Sequence, residues 1–419
     1  MSRTATRRKA SGVIRPPEPD LTPQQMLERA RQMRATLREN QGRCEAEGRV
    51  PQDINDALVK AGFYRIVQPR RFGGYEFDVP TFYRVMMEIA RGCPETGWVL
   101  ALTAGHPLLL ASYPEQAQIE AYGAEGEFRG PASFSPPGQA KETEGGYLVS
   151  GAWVSASGID IGTHFIGMAM VAPETEGDPP SPIQLMLERG QFEIVDDWKV
   201  MGMQGTGSKQ VRAKEAFVPM HRTVPTMGAV RGSQAVPAAR LYDNPMYQGR
   251  IQPFLIGEAA AVAVGAARGA LDLYEQALTG KRSMFPPHLE RTEDPEFQAH
   301  YGRALALIST AEAALVRAGE DFMAYAAEAA AGGEPFGEER ELRLILIEQQ
   351  CVRLGWEAME LIYRTAGTSA SARSDASIGR IFRNMAVIDT HPALQLDRTA
   401  VAAAKARFRP PVPETSSAS

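Results

Sequence analysis

Gly146-Tyr147-Leu148-Val149-Ser150-Gly151-Ala152-Trp153-Val154-Ser155-Ala156-Ser157-Gly158 is the run that decides the fold. Large apolar side chains alternate with small or polar ones, the period of a strand with one face buried. Ser157 ends the strand, and Gly158 lets the backbone pass close to a neighbouring group. Working outward, His164 to Val171, Ile183 to Leu187 and Gln210 to Val218 have the same texture, joined by Gly/Pro-rich connections. Residues 127–228 therefore predict a middle β unit, a small barrel or a sandwich.

On either side the period becomes helical. Residues 21–126 open on Thr22-Pro23, an N-cap followed by a proline in the first turn. Phe82 to Arg91 and Thr96 to Ser112 predict further helices, the second apolar enough to be buried. Within 229–408, Glu258–Leu278, His300–Ala331, Glu338–Gly367 and Ile378–Phe408 predict an antiparallel four-helix bundle. The chain is thus mainly α with a β insert. Residues 1–20 and 409–419 hold too little apolar content to pack and are expected to be mobile tails. The Gly-, Pro- and Met-rich stretch from Arg222 to Arg250 is expected to add a loop to a substrate pocket.

Composition removes several classes. The 419 residues carry a net charge of −5, so no global basic field draws nucleic acid. Cys44, Cys93 and Cys351 lie far apart in sequence, which suggests neither a disulfide framework nor a metal knuckle and fits a reducing cytoplasm. His164, His221, His288 and His300 form no metal-ligand spacing, so no metal site is expected. The longest apolar stretch, Ala259 to Ala267, is about half of what a membrane span needs, and the basic N-terminus lacks the apolar core of a secretory signal. No nicotinamide or P-loop glycine motif is present.

Several motifs, in order, resemble the acyl-CoA dehydrogenase superfamily over residues 20–408. Pro69-Arg70-Arg71-Phe72-Gly73-Gly74-Tyr75 is similar to its glycine-pair turn. The Gly146–Gly158 run is similar to its β-domain strand, and Gly202-Met203-Gln204-Gly205-Thr206-Gly207-Ser208 with Val218-Pro219 to its hairpin. Within the superfamily the chain resembles the two-component flavin monooxygenase branch, which includes the oxygenase component of p-hydroxyphenylacetate hydroxylase. That branch carries a late histidine, matched by His391, and one after the Trp-containing helix, matched by His106. The catalytic carboxylate of the dehydrogenases is missing from Thr365–Ala370; its other position aligns with Leu255, one turn from Glu258.

The resemblance implies an acyl-CoA dehydrogenase-like fold with an N-terminal helical domain, a middle β-barrel and a C-terminal four-helix bundle. It implies hydroxylation of a small aromatic, phenolic substrate by O2 and reduced flavin (FMNH2 or FADH2) through a C4a-hydroperoxyflavin. A separate NAD(P)H:flavin reductase would supply the flavin, and a homotetramer would be the assembly. Ser157 becomes the neighbour of flavin N5, and His391, set before the helix-breaking Pro392, its partner in stabilising the adduct. His106 becomes the group that activates the phenol, an imidazole suited to neutral pH, or else a buried histidine satisfied by a carbonyl. Ser133 or Ser135 lines the pocket. Trp153 is core or stacks near the flavin. Gly158, Gly367, Thr368 and Ser369, with Arg282 and Phe285, fall where the family holds the cofactor, although Pro286 departs from the pattern after Phe285. Arg380–Asn384 resembles a family element with Asn384 in place of its acid. The competing readings are a flavin dehydrogenase or oxidase, an N- or S-oxygenating relative, and a non-catalytic binder on the same fold.

Overall fold

The computed structural model describes residues 13–173, 179–225, 237–373 and 375–409. Helices α1 (Pro23–Glu39), α2 (Gln41–Glu47), α3 (Gln52–Lys60), α4 (Val79–Gly92), α5 (Pro94–Gly105), α6 (Pro107–Leu110) and α7 (Glu115–Tyr122) come first. Thr22 caps α1 reciprocally: its hydroxyl accepts from the Gln25 amide at 3.2 Å, and Gln25 Oε1 accepts from the Thr22 amide at 2.9 Å. Asp78 caps α4 through the Thr81 amide at 2.9 Å.

Strands β1 (Ala132–Thr143), β2 (Gly146–Ala156), β3 (His164–Val171), β4 (Ser181–Glu188), β5 (Glu193–Val195), β6 (Lys209–Pro219) and β7 (Thr223–Pro225) form one seven-stranded sheet, ordered β5-β6-β2-β1-β3-β4-β7. β5 and β7 end the sheet on opposite sides without pairing to one another, so it is open where a barrel was expected. Side-chain alternation splits it between two cores. Phe165, Leu185 and Leu187 join Val149, Trp153 and Val211 in a core of the sheet's own, while their chain neighbours Ile166 and Met186 face the helical core.

The second helical block comprises α8 (Ala238–Leu241), α9 (Ile251–Leu278), α10 (Pro295–Ala330), α11 (Glu338–Thr365), α12 (Thr368–Ser371), α13 (Ser377–Asp389) and α14 (Leu396–Arg407). The predicted fourth long helix is two, interrupted at His391-Pro392, because proline lacks an amide donor and crowds the preceding turn. The helices do not close on themselves as an isolated four-helix bundle. α9 packs on α4, α5, α10, α11 and α13, and one core runs through both helical blocks. α9 is long and apolar enough to cross a membrane, yet 83% of its most apolar window is buried within the protein.

Two expectations for the tails change. Residues 1–12 and 410–419 lie outside the described residues, but residues 13–20 are anchored. Ile14 donates to Arg71 O at 3.0 Å, and Glu18 holds Arg29 at 2.6 Å. Arg409 reaches Glu338 at 3.3 Å. Part of the proposed pocket loop, residues 226–236, also lies outside the described residues.

Candidate active site

Helix α5 is the spine of the candidate site. Pro94 starts it, and Trp98, Val99, Leu100, Ala101 and Ala104 are all buried, so it is apolar around its circumference and enclosed by other elements. The end of β2 lies against it. Gly158 has φ 74°, and a Cβ there would stand 2.7 Å from Val99 Cγ1, so glycine meets both a left-handed backbone and a close approach. Its amide donates to Thr206 O at 2.8 Å, tying the strand end to the 3₁₀ turn Gln204–Thr206.

Hydrogen-bond accounting at Ser157 fixes its free valence. Thr206 Oγ1 donates to Met203 O at 2.7 Å, so it accepts from Ser208 Oγ at 2.6 Å. Ser208 has then used its proton and accepts from Ser157 Oγ at 2.7 Å. Trp98 Nε1 donates to Ser157 Oγ at 3.1 Å. Ser157 thus keeps one lone pair and no free proton. His391 stands edge-on to Trp98, with ring centroids 5.7 Å apart. Its Nδ1 accepts from the Ala393 amide at 3.3 Å, which leaves Nε2 as the N–H. The residue is exposed in the single chain, but the protein packed around its ring lowers the imidazole pKa by desolvation. Ser157 and His391, far apart in sequence, therefore flank the same indole.

His106 caps the other end of α5. It follows Trp98 by eight residues, about 12 Å along the axis. Nδ1 lies 2.6 Å from Gly130 O and must carry the proton, so the bare nitrogen is Nε2, 3.7 Å from Glu258 Oε1 on α9. Burial pushes the imidazole down to about 4, which corrects the expectation of a base tuned to neutral pH. Glu258 is fully buried, neither carboxyl oxygen has a hydrogen-bond partner, and burial raises its pKa well above the usual carboxylate range. A Cβ at Gly105 would collide with this carboxyl group. Glu258 entered the sequence reading only as a near miss for a dehydrogenase base; nothing local in the chain signals its pairing with His106.

The remaining candidates divide. Ser133 is buried and donates to Val154 O at 2.6 Å on β2, whereas Ser135 is exposed. Trp153 is fully buried in the sheet's own core, its indole donating to Met168 O at 2.8 Å and its ring 5.3 Å from Phe165. It is a core residue, which corrects its assignment to the cofactor. Arg282 is exposed and paired with Glu290 at 2.9 Å, and Phe285 is 73% exposed on the same loop. Gly367, Thr368 and Ser369 start α12. Arg291, which the sequence reading passed over, joins these two groups: its guanidinium donates to Arg282 O and Ala366 O, both at 3.3 Å. Asn384 replaces the family acid with a different task, its Oδ1 accepting from the Met203 amide at 2.6 Å. His164, His221, His288 and His300 take part in no metal-type cluster among the described residues. Cys44 and Cys93, far apart in sequence, meet beside Glu95 and are both free thiols.

Comparison with known proteins identifies the family. Residues 22–123 match the family model for the acyl-CoA dehydrogenase N-terminal domain, and 258–396 that for its C-terminal domain. The flavin-dependent monooxygenase, oxygenase subunit HsaA, of Rhodococcus jostii (strain RHA1) is 31% identical over 387 residues, 91% of this chain and 97% of the relative. The oxygenase component of FADH(2)-dependent resorcinol hydroxylase from Rhizobium sp. is 32% identical over 67% of this chain and 69% of its own. The crystal structure of 3-HSA hydroxylase from Rhodococcus sp. RHA1 superposes with a TM-score of 0.83 at 27% identity, covering 92% of this chain and 97% of that one. With the fold, the motif order and nearly full-length similarity in agreement, the chain belongs to the oxygenase subunits of the flavin-dependent monooxygenases, built on the acyl-CoA dehydrogenase fold.

Proposed function

We propose that the protein hydroxylates a small phenolic ring, using O2 and a reduced flavin delivered by a separate NAD(P)H:flavin reductase. The carrying observation is the His106–Glu258 pair: a bare imidazole nitrogen and a carboxyl whose ionisation burial disfavours, 3.7 Å apart and buried, with carboxyl oxygens that no protein group bonds. A phenolic hydroxyl complements both, donating to His106 Nε2 and accepting from Glu258. His106 then accepts the phenol's hydrogen bond, which raises electron density on the ring, while Glu258 hydrogen-bonds its oxygen. Names among the relatives support this substrate class, including the resorcinol hydroxylase and the p-hydroxyphenylacetate 3-hydroxylase of Acinetobacter baumannii.

Residues near Trp98 fit a reduced flavin. The spare lone pair of Ser157 is an acceptor, the complement of the N–H that reduction places at flavin N5, and His391 Nε2–H is a donor beside it. Ser157, Gly158 and His391 would hold the ring, with Ser133 nearby on β1; Arg282, Phe285, Gly367, Thr368 and Ser369 would meet the phosphate end. When bound, the flavin supplies the two electrons that activate oxygen. Trp98 keeps water from Ser157 and fixes the orientation of its hydroxyl. A homotetramer is the assembly we favour, supported by Met284 and Phe285, 80% and 73% exposed on the loop that carries Arg282. The cytoplasm is the compartment we favour.

The test is turnover with a reductase, NADH, FMN or FAD and a panel of phenols under ¹⁸O2. One labelled oxygen atom in the product is expected. Oxidised product without label would replace this reading with a dehydrogenase or oxidase.

A further inference from the structure

Behind the turn that carries Thr206 lies a second cluster that the flavin chemistry leaves unused. Cys44 on α2, Cys93 at the N-cap of α5 and Glu95 in its first turn bring their ligand atoms within 4.8 Å of one another, and all three are buried. The two thiols are neighbours. Cys44, the Thr96 hydroxyl and the amides of Thr96 and Glu95 lower the Cys93 thiol to about 7 against the opposing effect of burial, the arrangement expected at a helix N-terminus. Cys44 donates its S–H to Gly205 O and is held as the thiol by its neighbour Cys93 and by burial. Glu95 Oε1 accepts from the Gly205 amide at 2.8 Å, Oε2 has no partner, and burial followed by the neighbouring Cys93 raises the carboxyl to about 8. It is therefore a proton donor at neutral pH.

The cluster is coupled to the site through Gly205. Cys44 Sγ lies 3.6 Å from Gly205 O, and no Cβ would fit at Gly205 against it. Gly205 is the centre of the turn whose next residue bonds Ser208, and Ser208 bonds Ser157. Glu45 and Gln204, the chain neighbours of Cys44 and Gly205, line a cavity of about 480 Å³ between α2 and residues 196–204.

We propose that Cys44 and Cys93 are a peroxide-sensitive dithiol that closes to a disulfide and shifts the Gln204–Thr206 turn. Hydrogen peroxide, the two-electron product of oxygen and reduced flavin when no ring is hydroxylated, is the oxidant. The Cys93 thiolate attacks one peroxide oxygen; the S–O bond forms, the O–O bond breaks, and the departing hydroxide takes the Glu95 proton to become water. Cys44 sulfur then attacks Cys93 sulfur; the S–S bond forms, the S–O bond breaks, and the second hydroxide leaves as water with the Cys44 proton. Both thiols are oxidised and one peroxide is reduced to two waters. Bringing the sulfurs to ~2.05 Å draws Cys44 away from Gly205 and removes its S–H donor from that carbonyl. Cys351, on α11, stays reduced.

The full-length protein is treated with a few equivalents of hydrogen peroxide, then alkylated in denaturant and analysed by mass spectrometry. Expected are a loss of ~2 Da, a linked peptide pair containing Cys44 and Cys93, free Cys351, and full reversal by dithiothreitol. Loss and recovery of hydroxylation in step with the disulfide tests the link to the turn, which rests on the role proposed for Ser157; the disulfide itself does not. Cys44 and Cys93 both alkylatable after a treatment that oxidises free glutathione overturns the proposal. So does one zinc ion per chain in the purified protein that blocks oxidation until chelated, since the cluster would then be a metal site. The Cys44→Ser variant, which folds or not without affecting the wild-type measurement, is expected to stop at the Cys93 sulfenic acid.

Discussion

Replacing Glu258 with glutamine gives a sharp test of the buried pair. In the folded protein this carboxyl is fully buried, unpartnered and raised in pKa by desolvation. In the unfolded chain it titrates near the ordinary glutamate value of about 4.3. Between that pH and its folded pKa the folded state binds one proton more than the unfolded state, so stability falls as pH rises. The slope is about 1.4 kcal/mol per pH unit wherever the two states differ by one proton. Glutamine removes this contribution and leaves a pH-independent offset. His106 titrates in the unfolded chain across part of this window, but it does so in both proteins and cancels. Urea denaturation of wild type and Glu258→Gln at several pH values is the assay. The two curves are expected to converge or cross, with the variant gaining relative stability by about one proton's slope. Parallel curves would mean that Glu258 is ionised in the folded protein, and the phenol-recognition scheme would fall with it. Glutamine also loses the acid donor, so the KM for a phenolic substrate is expected to rise.

Further outcomes follow from other contacts. Ser157→Ala strands the Trp98 indole N–H in a buried site and removes the donor to Ser208 Oγ; a loss of about 1–3 kcal/mol is expected by denaturant titration, with less hydroxylated product per reduced flavin consumed. His391→Ala, at an exposed helix break, is expected to change stability by no more than about 0.5 kcal/mol while lowering product per flavin, measured by peroxide release. Trp153→Ala opens the sheet's core and is expected to cost about 3–5 kcal/mol by thermal or urea unfolding. A Cβ at Gly257 would overlap the Tyr83 hydroxyl, so Gly257→Ala is expected to cost at least about 1–3 kcal/mol.

The strand period around Trp153, the cap at Thr22, the long helices and the helix-breaking Pro392 could all be read from the chain, because each depends on residues within a few positions of one another. The same holds for Ser157-Gly158, where the strand end and the left-handed glycine are local features. Sheet closure was not legible. Whether seven strands close or stay open depends on pairing between the ends, β5 and β7, which no local pattern specifies. Nor could the sequence divide the helices into separate packages, since α4 and α9 share one core across most of the chain.

The chemistry divides along the same line. The amino-acid sequence determined which groups are available: hydroxyls at 157, 206 and 208, imidazoles at 106 and 391, carboxyls at 95 and 258, and thiols at 44 and 93. Only the tertiary structure decided how they pair: Ser157 and His391 on either side of Trp98, His106 against Glu258, and Cys44 against Cys93. It also decided their protonation. A side chain carries its ordinary pKa along the chain, and burial is what lowers His106, against its bond to Gly130 O, and raises the unpartnered Glu258. Burial is a property of packing between elements distant in sequence, so the state of these groups was fixed when α5, α9 and the end of β2 came together.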